Sequence, residues 1–402
     1  MKIIFFINGE PFNFFDQDAR LHRVGHLIKK CQELDINYEV WTSDFYHQKK
    51  IFYNNKNINF KIIKSLGYKK NISLNRFLDN IIYSFKIYLE LKKDKFDNCI
   101  FVSAFPIPEV CFAVSVFAKK NKIPLIIDLR DMWPLIFYNL SNNFLTKSVI
   151  KIIFFYQEIL NKYTFRNSNG IFSITDTFLN YGLKYSNRKK NSSDKVFYLA
   201  HSVKETNKIN NNNSLKNIFP KNKIVICFFG VISYKKFDFL NLIKVVNNLK
   251  DSPIFIIICG KGDDEDRLTS EIGSNFLYLN WINQSQMSYI ASKSNFGLAH
   301  YKPTYDFNSS IPNKIIEYIS YKLPIIHSLK GDTYDLLDSE KINNYYKYGD
   351  SRSLEKLIHN LDHRSKIKDE LKFSKLFEKK FNANKVYESY INQVIKIYHE
   401  SR

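Results

Sequence analysis

Short runs of almost wholly apolar residues recur along the first half of the chain. Each is followed by a longer segment in which apolar residues return every three or four positions. The runs at 2–8, 38–43, 58–64, 99–103, 125–129, 170–175 and 196–201 predict strands. Between them, 18–34, 74–92, 108–121 and 145–166 predict helices. Strands that are apolar on both faces belong in a parallel sheet covered by helices on each side. The alternation therefore predicts a doubly wound parallel sheet of the α/β class.

A polar stretch, 204–222, interrupts this pattern, with four asparagines at 210–213. It has little to bury and reads as an interdomain linker. The pattern then restarts, with predicted strands at 223–230, 254–260, 276–281, 296–301 and 324–328, and helices between them. A last region, 364–399, carries aromatic and aliphatic residues at helical spacing. The reading is two Rossmann-like domains at 1–203 and 223–375, a linker at 204–222, and a C-terminal helix within 376–402.

Composition narrows the functional classes. The 402 residues are too many for one ordinary core, and the 45% hydrophobic content excludes a disordered chain. A net charge of +21 with pI about 9.4 favours polyanionic partners, nucleic acid or an anionic membrane surface. Lysine accompanied by abundant Asn and Ile also suits an AT-rich genome. Against nucleic acid, no helix-turn-helix, zinc or RNA-binding signature is present. Five cysteines lack metal-ligand spacing, and Cys99, Cys227 and Cys259 lie in apolar runs, as core residues of a reducing compartment do. Residues 1–8 are too short for a signal peptide, and Asn8-Gly9-Glu10 ends them without a cleavage site. No apolar segment approaches the roughly 20 residues that span a bilayer. A cytoplasmic protein is expected, in peripheral contact with the inner face of the plasma membrane. The helices at 74–92 and 145–166 mix aromatic, aliphatic and basic residues, so their apolar faces either cover the sheet or dock on an anionic leaflet.

Ligands of open α/β sheets bind beyond the carboxyl ends of the strands. Polar residues expected there include Asn8, Gly9, Ser43, Asp44, Ser103, Arg130, Asp131 and Thr175 in the first domain. In the second they include Gly230, Gly260, Lys261, Gly262, His300, Tyr301, His327 and Ser328. Two such rims facing one another would form an interdomain cleft. The stretch 310–328, SIPNKIIEYISYKLPIIHS, is the most informative. Pro312 suits a first helical turn, where its missing N–H has no partner to lose. Asn313 and Lys314 follow at a helix start, whose N–H groups and dipole favour anions. Glu317, one turn on, could accept hydrogen bonds from a ribose diol. On spacing alone, an ordinary capped surface helix reads equally well.

This stretch resembles the nucleotide-sugar segment of the family-4 retaining glycosyltransferases, in the branch that builds bacterial surface polysaccharides, where it reads Ser-x-Pro-Asn-Lys-x-x-Glu-Tyr. Two further resemblances, DLRDMWP at 128–134 and WTSDFYH at 41–47, stand in the right order. The resemblance implies a GT-B architecture whose last helix crosses back to the first domain. It implies transfer of a sugar from a nucleotide diphosphate, preferably UDP carrying an N-acetylated or deoxy sugar. The acceptor it implies is a polyprenyl-diphosphate-linked saccharide in capsule or O-antigen synthesis, with retention of configuration. Ser310, Pro312, Asn313, Lys314, Glu317, Gly230, Gly260 and Tyr301 would hold the donor. Lys235 or Lys236 would lie on the diphosphate, unless both are merely solvated. Asp131 would orient a hydroxyl of acceptor or donor, and Arg130 would hold a phosphate or pair with Asp131. Gly9, Ser103 and Trp133 would line the acceptor side. No cofactor and no metal is expected: the Asp-x-Asp runs at 16–18 and 263–266 stand where helices begin. One departure is Ser309, eight positions before Glu317, where many members carry a second glutamate. The rival readings are an epimerase or inverting transferase of the same fold, a nucleic-acid-binding protein, and a non-catalytic assembly subunit.

Overall fold

The computed structural model describes residues 1–10, 21–53, 59–71, 73–139, 143–202, 215–249 and 253–402. The acidic run at 16–18, the predicted start of the first helix and residues 204–214 of the expected linker lie outside them. The chain forms two compact units, Met1–Tyr198 together with Ala383–Arg402, and Leu199–Asn382.

In the first unit the strands are β1 (Lys2–Phe6), β2 (Asn37–Ser43), the short pair β3 (Phe45–Tyr46) and β4 (Ile51–Phe52), and β5 (Phe60–Ile63). They continue with β6 (Cys99–Phe105), β7 (Leu125–Leu129), β8 (Gly170–Ser173) and β9 (Lys195–Val196). Seven of them make one parallel sheet in the order β5-β2-β1-β6-β7-β8-β9, while β3 and β4 pair antiparallel beside it. The order reverses between β1 and β6. The final helix, Ala383–Glu400, buries Val386, Tyr387, Tyr390, Ile391 and Val394 in this unit. The Tyr390 ring lies 4.7 Å from Phe172 and 5.0 Å from Phe197. The continuous helical pattern at 364–399 is in fact interrupted: Ser365–Leu376 gives way to a π-helical turn at Phe377–Phe381 before the last helix begins.

Two helices of this unit bury polar residues beside apolar ones (Tyr83, Ile87 and Leu91 in one, Phe154 and Phe165 in the other) and expose further apolar residues. Leu74–Leu91 buries Asp79, Asn80 and Ser84 and exposes Leu74, Leu78, Ile81, Ile82, Phe85 and Leu89. Phe144–Arg166 buries Gln157, Asn161 and Thr164 and exposes Phe144, Leu145, Val149, Ile152, Ile153, Phe155 and Ile159. Hydrogen bonds hold most of these polar residues inward. Asp79 accepts from the Ser65 hydroxyl and the Leu66 N–H, Gln157 donates to Glu109, and Asn161 donates to the Trp133 carbonyl. Much apolar surface is thereby turned to solvent, so covering the sheet, one of the two roles expected of these helices, takes only part of it. Between the two helices runs an apolar groove of about 510 Å³. Among the described residues, no helix is long and apolar enough to cross a membrane.

The second unit contains β10 (Ile224–Phe229), β11 (Ile254–Cys259), β12 (Phe276–Leu279), β13 (Phe296–Ala299), β14 (Ile325–His327) and β15 (Asn343–Tyr345). They form a parallel sheet in the order β12-β11-β10-β13-β14-β15. The first five of these strands were legible as apolar runs; β15, Asn-Asn-Tyr, is a polar edge strand that no apolar pattern announces. Here the order reverses between β10 and β13, which makes the carboxyl ends of those two strands the place where a ligand crevice forms.

Candidate functional site

β10 and β13 pair only through Ile226–Phe296 and Cys227–Gly297. Beyond those pairs the helix Asn313–Ser320 is pinned over the seam by Tyr318. Its buried hydroxyl lies 3.2 Å from the Cys227 carbonyl and 3.1 Å from that of Leu298, and accepts the Phe229 N–H at 3.3 Å. A Cβ at Gly297 would stand 2.5 Å from the Tyr318 ring, so glycine lets the helix approach the sheet. Pro312 takes the N-cap position, one residue earlier than expected, and its carbonyl accepts the Ile315 N–H at 2.9 Å. Asn313 opens the helix and is exposed.

Lys314 turns inward from that first helical turn. Its ammonium is buried, makes no hydrogen bond, and lies 3.2 Å from the Phe228 ring centroid and 4.4 Å from that of Phe237. It also stands 2.6 Å from where a Cβ on Gly230 would be. Burial drives its pKa well below the ordinary lysine value, and the opposing pull of Glu317 is weaker. Gly230 itself is close-packed: a Cβ on Gly260 would lie 1.8 Å from the Gly230 carbonyl oxygen. Only glycine at 260 permits the two strand ends to sit that close. Glu317 is half-buried, and its charge acts on both Lys314 and the Tyr301 hydroxyl, so these three form one electrostatic cluster. Tyr301 is pinned against Phe237, with ring centroids 4.8 Å apart, and its carbonyl accepts the Ser328 hydroxyl.

The structure thus brings together Gly230, Gly260, Tyr301, Lys314 and Glu317, with Pro312 and Asn313 at the helix entry. Ser310 is turned away, because its hydroxyl donates to the Asp306 carbonyl at 2.8 Å. Lys235 and Lys236 are exposed on the loop after β10. The acidic run holds that loop through Asp264, which accepts the Tyr234 N–H, while Glu265 accepts the Gly262 N–H in the loop after β11. His300, expected on the strand-end rim, instead lies wholly buried against Phe228, Phe237 and Phe239 with neither ring nitrogen bonded. Burial first, and Lys314 second, drive its pKa well below the ordinary histidine value. Its signal in the sequence was its place directly after an apolar strand. Tyr318 was signalled by a single hydroxyl on the buried face of an otherwise aliphatic helix.

In the first unit two expectations need correcting. Arg130 neither pairs with Asp131 nor stands open to a phosphate. Its Nε and Nη2 lie 2.8 and 2.7 Å from Asp128, and Nη1 pairs with Glu10. Asp128 lies in β7 two positions before Arg130, whereas Asp131 lies beyond the strand in the bend that follows. Arg23 completes the cluster, 2.9 Å from Asp128 and 2.6 Å from the Phe197 carbonyl. This is a buried network that ties β7 to the residues after β1. Ser103 lies inside β6, which runs on to Phe105, and its fully buried hydroxyl meets Cys111 Sγ at 3.2 Å. It cannot touch an acceptor. Asp131 accepts the Met132 N–H at 2.8 Å in the loop after β7. The Trp133 ring is buried, stacked by Arg76 at 4.8 Å, and Gly9, with φ of 80°, abuts His47.

No family model and no curated protein matches the sequence. Solved structures do match along nearly the whole chain. Sucrose-phosphate synthase from Thermosynechococcus elongatus superposes with a TM-score of 0.71 at 10% identity, covering 99% of each chain. HepE of Anabaena, solved with UDP, gives 0.63 at 12% identity over 98% of this chain and 100% of that one. WaaG, a glycosyltransferase involved in lipopolysaccharide biosynthesis, gives 0.60 at 12% identity over 96% and 98%. The fold is GT-B.

Proposed function

We propose that this chain is a glycosyltransferase that takes its sugar from a UDP-linked donor. The observation that carries the reading is the Lys314 ammonium, buried without a hydrogen-bond acceptor at the switch point between β10 and β13. A desolvated lysine amine at a helix start, beneath a glycine, is matched by a diphosphate, whose charge favours its ammonium form. It would stabilise the charge that develops on the leaving group. Glu317, one turn further, has the reach to accept from a ribose diol. The likeness in fold to a UDP-bound protein supports the choice of nucleotide.

The acceptor in this reading is a polyprenyl-diphosphate-linked saccharide of capsule or O-antigen assembly, and transfer retains configuration. The acceptor oxygen bonds to the anomeric carbon as the carbon–phosphate oxygen bond breaks, and the acceptor's proton passes to the departing diphosphate. Asp131 orients the reacting hydroxyl. The outward apolar stripes at 74–91 and 144–166, accompanied by exposed Lys92, Lys151 and Lys162, support peripheral binding to an anionic membrane.

The test combines thermal-shift titration with UDP against an oligonucleotide, followed by product analysis with a panel of UDP-sugars. Stabilisation by UDP and release of UDP on adding lipid-linked acceptor are expected. Stabilisation by the oligonucleotide alone would overturn the reading. Inversion at the anomeric carbon would overturn its retaining part.

A further inference from the structure

A second group of basic residues stands in the first unit, at the carboxyl edge of its sheet. His47 and Lys50 follow β3, and Arg76 lies on the first turn of Leu74–Leu91. All three converge on Tyr68. His47 Nδ1 is 2.5 Å from the Tyr68 hydroxyl and 3.1 Å from Lys50 Nζ. An ammonium can only donate, so Nδ1 is the acceptor and the imidazole is neutral, with its proton on Nε2. Lys50 Nζ lies 4.6 Å from the centre of the Tyr68 ring, and the Arg76 guanidinium carbon lies 5.4 Å from that ring and 4.8 Å from the Trp133 ring.

The charge of Arg76 acts on the buried Glu109 carboxylate without contact. Among the described residues, neither Lys50 nor Arg76 pairs with a carboxylate. Lys50 donates to the Asn71 side-chain oxygen, and Arg76 Nη1 to the Asn71 carbonyl. Arg76 Nε is buried and makes no hydrogen bond. Acids of this unit are committed to other partners: Asp44 accepts the Ser65 N–H, Asp79 accepts the Ser65 hydroxyl and the Leu66 N–H, and Glu109 accepts from the Tyr156 hydroxyl and the Gln157 amide. The mutual repulsion is felt by the groups themselves, since Arg76 and Lys50 both help to hold His47 down at about 4, behind burial as the larger cause. Structural cations are usually neutralised where they are held; two left unpaired, stacked on aromatic faces and fixed in place, are prepared for an anion.

The position is informative as well. Gly9, after β1, brings its backbone against His47, and Trp133 comes from the loop after β7. Arg76 opens the helix whose outward face carries Leu74, Leu78, Ile81, Phe85 and Leu89. Anion-seeking groups and exposed apolar surface thus meet on one helix. We propose that His47, Lys50 and Arg76 form a subsite for a phosphate or diphosphate group carried by the acceptor. This rests on reading the chain as a transferase whose acceptor bears such a group.

The experiment uses the full chain, saturated with UDP so that the second unit is occupied, and titrates inorganic pyrophosphate. In parallel, binding is measured to phosphatidylcholine vesicles with and without a few per cent of polyprenyl diphosphate. The double variant Lys50→Met/Arg76→Met should bind both probes roughly 10–100-fold more weakly, while Arg76→Lys retains most of the binding. Preference for the diphosphate-bearing vesicles over pyrophosphate assigns a lipid-borne group; equal affinity assigns a soluble phosphate ligand. Both support the subsite. Unchanged binding of pyrophosphate and of vesicles by the folded double variant overturns it. Failure of UDP to bind, with pyrophosphate binding still dependent on Lys50 and Arg76, would remove the donor reading and leave this subsite standing.

Discussion

Lys314→Met preserves the length of the side chain and removes one charge. In the unliganded protein that charge is a burden. Holding an ammonium away from water costs several kcal/mol even after the protein relaxes. The Phe228 and Phe237 faces, 3.2 and 4.4 Å from Nζ, return about 2 kcal/mol each at most. The balance disfavours the charged form, which agrees with a pKa far below the ordinary lysine value. Between the folded and unfolded pKa values the unfolded chain holds a proton that the native protein lacks, so native stability rises with pH across that window. Every tenfold loss of proton affinity corresponds to about 1.4 kcal/mol. At pH 7 the methionine variant should therefore be more stable than the parent. Each kcal/mol gained would appear as roughly 2–4 °C in Tm for a unit of this size, and the gain should vanish as the pH is raised to about 10.5. With UDP the order reverses. Losing one charge-assisted contact of about 1.5–3 kcal/mol raises Kd roughly 10–150-fold. Calorimetry with UDP and melting curves at pH 7 and pH 10.5 measure both effects. A variant that binds UDP like the parent, or that melts lower at pH 7 without ligand, would refute the reasoning.

Glu317→Ala should weaken donor handling by roughly 10–100-fold, from the loss of a hydrogen bond of about 1.5–3 kcal/mol, with the melting temperature little changed. Arg130→Met leaves Asp128 and Glu10 without one of their cations and should cost about 3–5 kcal/mol of stability; a melting curve like the parent's would return Arg130 to the list of ligand contacts. Asp131→Asn should lower kcat in a transfer assay while UDP binding stays near normal, because only an orienting charge is removed. Membrane attachment should outlast a high-salt wash, since screening to about 3 Å at 1 M weakens only the electrostatic part. Replacing exposed Phe85, Ile152 and Phe155 together by serine should release the protein from vesicles in a flotation assay.

The sheet strands were legible because central parallel strands are apolar on both faces and announce themselves without alternation. The edge strand β15, the short pair β3–β4 and the interruption at Phe377–Phe381 were not, because polar edges and changes of helical ladder leave no apolar pattern. At the donor site the segment from Pro312 to Glu317 was readable, since cap, charge and spacing are local. What local spacing could not give was direction. Lys314 was assigned to phosphate, but not that its ammonium is walled in by Phe228 and Phe237, residues more than seventy positions away. Arg130 beside Asp131 suggested a pair, while its actual partners, Asp128 on β7 and Glu10 after β1, are brought together by the sheet. The two helices at 74–91 and 144–166 left the pattern undecided for a different reason. Periodicity marks an apolar stripe and is silent on which side of it the protein lies.

The last helix, Ala383–Glu400, belongs to the unit made by the beginning of the chain. Tyr390 closes the pocket made by Phe172 and Phe197, and Tyr387 stacks on His26. On a ribosome, then, the first unit made is the last to be finished. At about 5–20 residues per second, its open flank waits roughly 10–40 s while Leu199–Asn382 is synthesised. The second unit has no such delay, being one uninterrupted stretch. A chaperone bound during that interval would find the groove destined for Tyr390, and a message broken before the last helix would yield a second unit able to fold beside a first that cannot close.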